Sequence, residues 1–377
     1  MNRGIYILTL LICLTGTGLK AQSQKWRSGI VTDEFLYDKA PFPSCHSATI
    51  AETPTGLVAA YFGGTRERHP DVEIYVSRQQ NGTWLAPVSV ANGIQSDQQR
   101  LPTWNPVLYQ VPGGDLLLFY KIGPKPSEWW GMMRSSKDGG ITWSEATKLP
   151  EGYIGPVKNK PVLLNNGNLF CPSSKEGDGW KVHFEVTKDN GKSWRTVGPV
   201  AGGGLDAIQP SILDHGQGKL QILARSRNRA LVESWSDNNG ETWSPLAKTS
   251  LPNNNSGTDA VTMKDGRHVL VYNHVLPPGN LAKGPRTPLN VALSKDGKTW
   301  YAALILEDSP ISQYSYPAVI QTSDGMLHFI YTWRREKIKH VVVDPARLKL
   351  KKIVNGIWPS VKGYTAPVIT ETKNEEP

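Results

Sequence analysis

The chain has 377 residues, with 42 Lys and Arg against 33 Asp and Glu, a formal net charge of +9. The cations are scattered, which excludes a dense nucleic-acid-binding run and fits a solvated surface with one local basic site. Three cysteines make no disulfide framework, and neither a Cys/His zinc spacing nor an acidic calcium loop is present, so no metal or cofactor is expected.

Arg3 followed by a mostly apolar stretch over residues 5–19 reads as a signal peptide, with Ala21 the last residue before cleavage. That predicts a secreted or periplasmic protein. The stretch is too short to span a bilayer, so no membrane insertion is expected. Residues 22–370 are predicted to form one domain, and 371–377 a flexible tail. Cys45 and Cys171 lie in or beside apolar strands and are expected as buried thiols.

A turn glycine followed by an apolar run then recurs six times, at Gly56, Gly114, Gly167, Gly218, Gly266 and Gly325. A short strand precedes each glycine, at 46–50, 105–109, 160–164, 210–213, 260–263 and 317–321. An apolar strand follows, at 57–62, 116–120, 169–171, 220–224, 269–272 and 327–331. Gly with Asn or Asp nearby suits the tight hairpin between them. A third strand leads into a Ser/Thr-x-Asp-x-Gly-x-Thr-Trp turn. The clearest copies run from Ser136 to Trp143 and from Thr187 to Trp194. Asn238 replaces the Asp in the copy ending at Trp243, the copy ending at Trp300 is one residue short, and the one ending at Trp84 has no Asp. In this turn Asp accepts backbone N–H groups, Gly permits positive φ, and Trp packs between neighbouring sheets. A period near fifty built from short strands predicts an all-β fold, a six-bladed β-propeller. Helical periodicity is absent, and 28 prolines argue against long helices. Residues 29–32 are expected to complete the sixth blade beside 339–343 and so close the ring.

Inner strands of a propeller begin around an axial pocket, where residues distant in sequence converge. His46, Trp104, Lys158, Lys160, Asp259, Gln209, Tyr314 and Tyr316 stand at those beginnings. Arg66, Glu67, Glu176, Arg225, Arg227, Arg334 and Arg335 stand where the following strands end, and loops add Asp71, Glu185 and Arg286. Arg66, Lys158, Lys160, Arg225, Arg227 and Arg286 together suit a carboxylate clamp, since Arg offers a bidentate fork. An acidic oligosaccharide or glycan is the expected partner. Trp129 and Trp130, in a polar loop, suit either stacking on a sugar or covering the blade below.

Repeated Asp-box turns on a six-blade pattern resemble the sialidase superfamily of propeller proteins, over about the whole chain after residue 21. The resemblance implies a propeller of the sialidase type and exo-hydrolysis of an acidic sugar. It also implies three arginines on the substrate carboxylate, a tyrosine nucleophile assisted by a glutamate, and an aspartate acid/base. On that pattern Arg225, in Ala224-Arg225-Ser226-Arg227, matches the second arginine, and Arg286, before the next box, the third. Tyr316 matches the nucleophile with Tyr314 as its rival, and Asp71, in His69-Pro70-Asp71, matches the acid/base. Two positions depart from it. His46 stands where the first arginine is expected, and Gln209 where the glutamate is expected; an amide accepts no proton. His46, Glu176 or Glu185 is then the candidate base. A His/Tyr pair beside cations also suits β-elimination on a uronate-containing glycan, so a polysaccharide lyase is the alternative, with a non-catalytic glycan-binding propeller as a third reading.

Overall fold

The computed structural model describes residues 26–360 and the strand Glu371–Thr372; the expected signal peptide lies outside the described residues. Six antiparallel sheets form the blades. Blade 1 runs through Ser44–Thr53, Gly56–Gly64 and Glu73–Gln80; blade 2 through Thr103–Gln110, Leu116–Ile122 and Trp130–Ser136; blade 3 through Val162–Leu163, Leu169–Lys175 and Lys181–Thr187. Blade 4 holds Ala207–Asp214, Leu220–Ser226 and Ala230–Ser236; blade 5 holds Asp259–Thr262, His268–Tyr272 and Leu289–Ser294; blade 6 holds Tyr314–Gln321, Leu327–Trp333 and Lys337–Val343. Short outer strands complete them. No α-helix occurs among the described residues, and Pro345–Arg347 is a 3-10 turn.

The N-terminal strand Ile30–Phe35 is the outer strand of blade 6, with Ile30 opposite Val343 and Phe35 opposite Lys339. The ring is thus closed by pairing its two ends, as the sequence predicts. The N-terminal strand thereby covers the outer edge of Lys337–Val343.

Second strands are mostly apolar because neighbouring blades cover both their faces; every residue of Leu116–Ile122 is buried, Lys121 included. Side chains from adjacent blades meet in shared clusters. Phe62 and Ile74 pack with Leu118 and Tyr120, Phe170 and Phe184 with Ile222, and Val269 and Val291 with Phe329 and Tyr331. Burying each such side chain stabilises the ring by roughly 1.5–3 kcal/mol.

The Asp-box turns lock these clusters from outside. Asp189 accepts from the backbone N–H of Ser193 at 2.8 Å and of Lys192 at 3.0 Å, and from the Ser193 hydroxyl at 2.6 Å. In the Asn238 copy the side-chain oxygen still accepts from Thr242 N–H at 3.0 Å, while the amide nitrogen donates to the Thr242 hydroxyl at 2.9 Å. The hydroxyl reverses its role, so the turn survives the substitution. Each box tryptophan reaches the preceding blade. Trp194 meets Phe119 at 6.1 Å, and Trp243 stacks on Phe184 at 4.5 Å. Trp84, in the copy without Asp, donates to Glu34 at 3.0 Å beside His340 of blade 6.

Cys45 and Cys171 are buried and unpaired, as expected. Glu371–Thr372 pairs in parallel with Ile311–Ser312, so paired backbone continues past the boundary drawn at residue 370. A polar composition there does not prevent main-chain pairing along an edge. Residues 373–377 lie outside the described residues.

Hydrogen bonds led by the Ser193 hydroxyl hold the Asp189 carboxyl down to about 2. A depressed carboxyl contributes stability above its unfolded value near ~3.9 and loses it as pH falls towards the folded value. Asp189→Asn should therefore lower Tm at neutral pH and flatten the fall of Tm between pH 4 and pH 2. Asp189→Ala should lower Tm at every pH. Calorimetry across that range checks both.

Candidate active site

Four inner strands carry the same irregularity near their beginnings. Two residues bulge opposite one partner at Ser47-Ala48, Asn105-Pro106, Gln209-Pro210 and Tyr316-Pro317. The first residue of each bulge has positive φ: 59° at Ser47, 35° at Asn105, 57° at Gln209 and 49° at Tyr316. Proline suits the second place because its missing N–H falls where the ladder is already interrupted. The bulge re-aims a side chain that would otherwise lie between blades.

Tyr316 is the centre of the resulting site. Its hydroxyl oxygen accepts from Arg225 Nη1 at 2.9 Å and from Gln209 Nε2 at 3.1 Å. Lys158 Nζ, Arg286 Cζ and Arg225 Cζ lie 5.7, 5.8 and 5.9 Å from its ring centroid, and the His46 ring is 4.2 Å away. Two N–H donors, one cationic, on a phenol oxygen stabilise negative charge there. Tyr314 is elsewhere: it is 1% exposed, and its hydroxyl accepts from Arg334 Nε at 3.2 Å. Tyr316 is therefore the tyrosine that joins the cations.

The cations are fixed from behind. Arg225 is buried, stacks over Trp180 at 5.2 Å, and donates through Nε and Nη2 to Asn255 Oδ1 at 3.2 and 3.0 Å. Gln313 Oε1 accepts from Arg286 Nη1 at 3.1 Å and from Arg335 Nε at 3.3 Å. Arg335 also pairs with Glu67. Lys158 Nζ donates to Asn159 Oδ1, Thr258 O and Pro317 O at 2.8, 2.9 and 2.7 Å. Burial pulls its pKa down to about 7.

Titratable groups around Tyr316 are driven in different directions. Burial first, then the charges of Arg335, Arg286, Lys158 and Arg225, hold His46 well below its ordinary value, so its imidazole is neutral at neutral pH. Its Nδ1 bonds the Thr332 hydroxyl at 2.8 Å. Burial pushes the Glu67 carboxyl up, but Arg335, Arg286 and Arg68 outweigh it and hold the group below the usual range. Glu176 goes the other way: burial raises it, and the opposing pull of Arg225 and Arg227 does not cancel the effect. Carboxyls driven apart in this way suit opposite roles in proton transfer.

Other predicted residues lie away from this cluster. Trp104 is 2% exposed, donates to Gly123 O at 2.7 Å, and packs against Phe62 and Trp129. Lys160 pairs with Asp259 at 2.7 Å and lines a cavity with the hairpin-turn residues Gly216 and Gly266, at the face opposite the strand beginnings. Asp71, on the loop before the third strand of blade 1, accepts from Thr65 N at 3.0 Å and contacts His69 Nδ1 at 2.7 Å. Burial raises its carboxyl, and the Thr65 and His69 bonds together outweigh it and lower the group overall. Arg66 is exposed on the same loop. Glu185 is fully buried and accepts from Ile154 and Gly155 N–H groups at 3.1 and 2.6 Å, which commits it to the backbone. Among the described residues no group of three or more His, Cys, Asp or Glu is placed to hold a metal ion. A cavity of about 930 Å³ lies between blades 2 and 3 and is lined in part by Glu176, which feels the charges of Arg225 and Arg227.

The sequence matches the BNR repeat-like domain over residues 55–329. The chain belongs to the BNR repeat-like family. No functionally curated protein is detectably similar in sequence. Solved structures share the fold at low identity. NanB sialidase from Streptococcus pneumoniae superposes with a TM-score of 0.67 at 11% identity, over 84% of this chain and 71% of that one. A protein of unknown function from Dyadobacter fermentans gives 0.69 at 16%, over 84% and 99%. An α-L-arabinanase from Penicillium chrysogenum gives 0.62 at 17%, over 85% and 99%. This BNR repeat-like chain is thus a six-bladed propeller of the sialidase type.

Removing the axial cation tests how the site is held. Lys158→Met leaves three buried acceptors unsatisfied and should cost about 3 kcal/mol or more. Urea unfolding of purified protein measures it, and an unchanged midpoint would show that the acceptors find other donors.

Proposed function

We propose that this protein is an exported, sialidase-like glycan-active enzyme that removes a carboxylated sugar from the end of an oligosaccharide. One observation carries the reading: the Tyr316 hydroxyl accepts from Arg225 and Gln209 at the centre of a ring of cations. Arg225, Arg286 and Arg335 are the carboxylate clamp, which the arginine fork suits. Tyr316 oxygen is the nucleophile at the anomeric carbon; water, deprotonated by the carboxylate left on Glu176, then displaces it, and His46 returns its proton to the phenolate. Neutral His46 takes the phenol proton, since Gln209 accepts none. Glu176, the carboxyl held up, donates a proton to the leaving oxygen. Asp71, whose carboxyl is held down by Thr65 and His69, suits the donor role less well.

A second reading has specific support. An amide rather than a carboxylate touches the phenol, and a neutral imidazole lies beside it. That pair also suits removal of a carbon-bound proton next to a carboxylate, with elimination of the glycan.

Product analysis on acidic glycans separates the two. Hydrolysis gives a free reducing sugar and no new ultraviolet absorbance, whereas an unsaturated product would establish elimination. Under hydrolysis Tyr316→Phe should abolish turnover, and Arg225→Ala should lower kcat/KM by roughly 10²–10³-fold. A binder without catalysis would keep its affinity in Tyr316→Phe and turn over nothing.

The pH profile tests Glu176. A general acid must be protonated, so activity should fall as pH rises through its raised pKa. Glu176→Gln should lose that alkaline limb together with most of kcat on poor leaving groups. A wild-type profile in the variant would assign the limb to another residue.

A further inference from the structure

The cavity between blades 2 and 3 differs in character from the axial site. Its walls carry Trp129, Trp130 and Tyr153. Lys148, Lys175 and Lys181 are balanced there by Glu151, Glu176 and Asp178, and Lys181 is already paired with Asp178 at 2.9 Å. Net charge along the groove is therefore near zero, and slightly positive when Glu176 is protonated, whereas the Tyr316 site is strongly cationic. A carboxylated sugar is drawn to the axis, and a neutral one is not repelled from the flank.

The groove walls are held in place. Trp129 packs edge-on against buried Trp104 at 5.9 Å. The chain passes so close behind it that a Cβ at Gly123 would meet Trp129 Cα at 2.5 Å, so only glycine fits there. Lys148 Nζ caps the Trp130 ring at 5.1 Å. On the other wall the Tyr153 hydroxyl donates to Trp194 O at 3.0 Å, and Glu185 clamps the next two backbone N–H groups. Rings fixed before binding cost little entropy when a sugar face lies on them.

We infer that this groove is the leaving-group subsite and takes a neutral oligosaccharide, the part of the glycan to which the acidic terminal sugar is attached. The inference rests on the axial site receiving the acidic sugar. Glu176 stands at the joint, lining the groove while within electrostatic reach of Arg225 and Arg227. The scissile bond then lies beside the one carboxyl shared by both sites, and the groove's volume of about 930 Å³ leaves room for more than one sugar ring.

Binding of neutral trisaccharides, in galacto-, manno-, xylo- and malto- series, to the full-length protein by calorimetry tests this without requiring turnover. At least one series should bind. Trp129→Ala should weaken it about tenfold or more. Glu151→Trp, at an exposed position on the groove wall, should block it equally while leaving Tm unchanged, which guards against a folding defect in the first variant. Failure of every series to bind, or equal affinity in wild type and Glu151→Trp, overturns the inference. Neutral binding that depends on Trp129, with no carboxylated glycoside bound or turned over, would instead uphold the groove and sink the acidic-sugar reading.

Discussion

A single buried ammonium ties the ring to the site. Lys158 comes from the chain entering blade 3, and its three donors end on Asn159 Oδ1, on Thr258 O before blade 5, and on Pro317 O in blade 6. Burying an ion costs several kcal/mol unless its donors are satisfied. Here satisfaction requires three separate blades to sit at the right height. Asp259 repeats the device a step along the axis, accepting from Lys160, the Ser211 hydroxyl and Val319 N–H. Apolar clusters between blades set their spacing but tolerate small slides. The polar axis does not tolerate them, because a slide breaks bonds on two or three blades at once.

This also explains why glycine follows Asn253-Asn254-Asn255-Ser256. A Cβ at Gly257 would lie 2.9 Å from Lys158 Cε and 3.3 Å from Gln209 Oε1. The loop entering blade 5 must touch the axial lysine directly. Gln209 then leans over that glycine to reach Tyr316, so the floor of the site and the axis of the fold are one network.

The blades were legible because their signals are local: hairpin glycine, apolar strand, Asp-box, each within a few tens of residues. Even the closing strand could be read, since residues 29–32 had no other sheet to join. The blade 3 inner strand is shorter than expected, Val162–Leu163 rather than 160–164, because Pro161 before it has no N–H to give the ladder. Site membership was less legible. Lys158 and Lys160 look alike in sequence, yet one lies under Tyr316 and the other serves a carboxylate near the opposite face. Arg335 stood on the sequence list without a role, and only folding sets it with Arg286 on Gln313. One available signal was overlooked. Asn105, Gln209 and Tyr316 each precede proline on an inner strand, and those are the bulged residues. Tyr314 has no such proline, so the choice between the tyrosines was written in the chain.

Gln209 does more than stand in for a missing carboxylate. A glutamate there would be an anion between Arg225 and the phenol, competing with Tyr316 for the guanidinium. The amide instead passes one hydrogen bond in each direction, accepting from Arg225 at 3.3 Å and donating to Tyr316 at 3.1 Å. The phenol oxygen keeps two donors, and no proton acceptor touches it from that side. On blade 1 the His46 ring lies against that of Tyr316. The cations that surround Tyr316 also keep His46 uncharged and therefore basic in form. They hold Glu67 ionised, while Glu176, at the groove, stays protonated to higher pH. Burial and positive charge thus oppose each other on the two carboxyls, the cations winning at Glu67 and burial at Glu176, while both act together on His46.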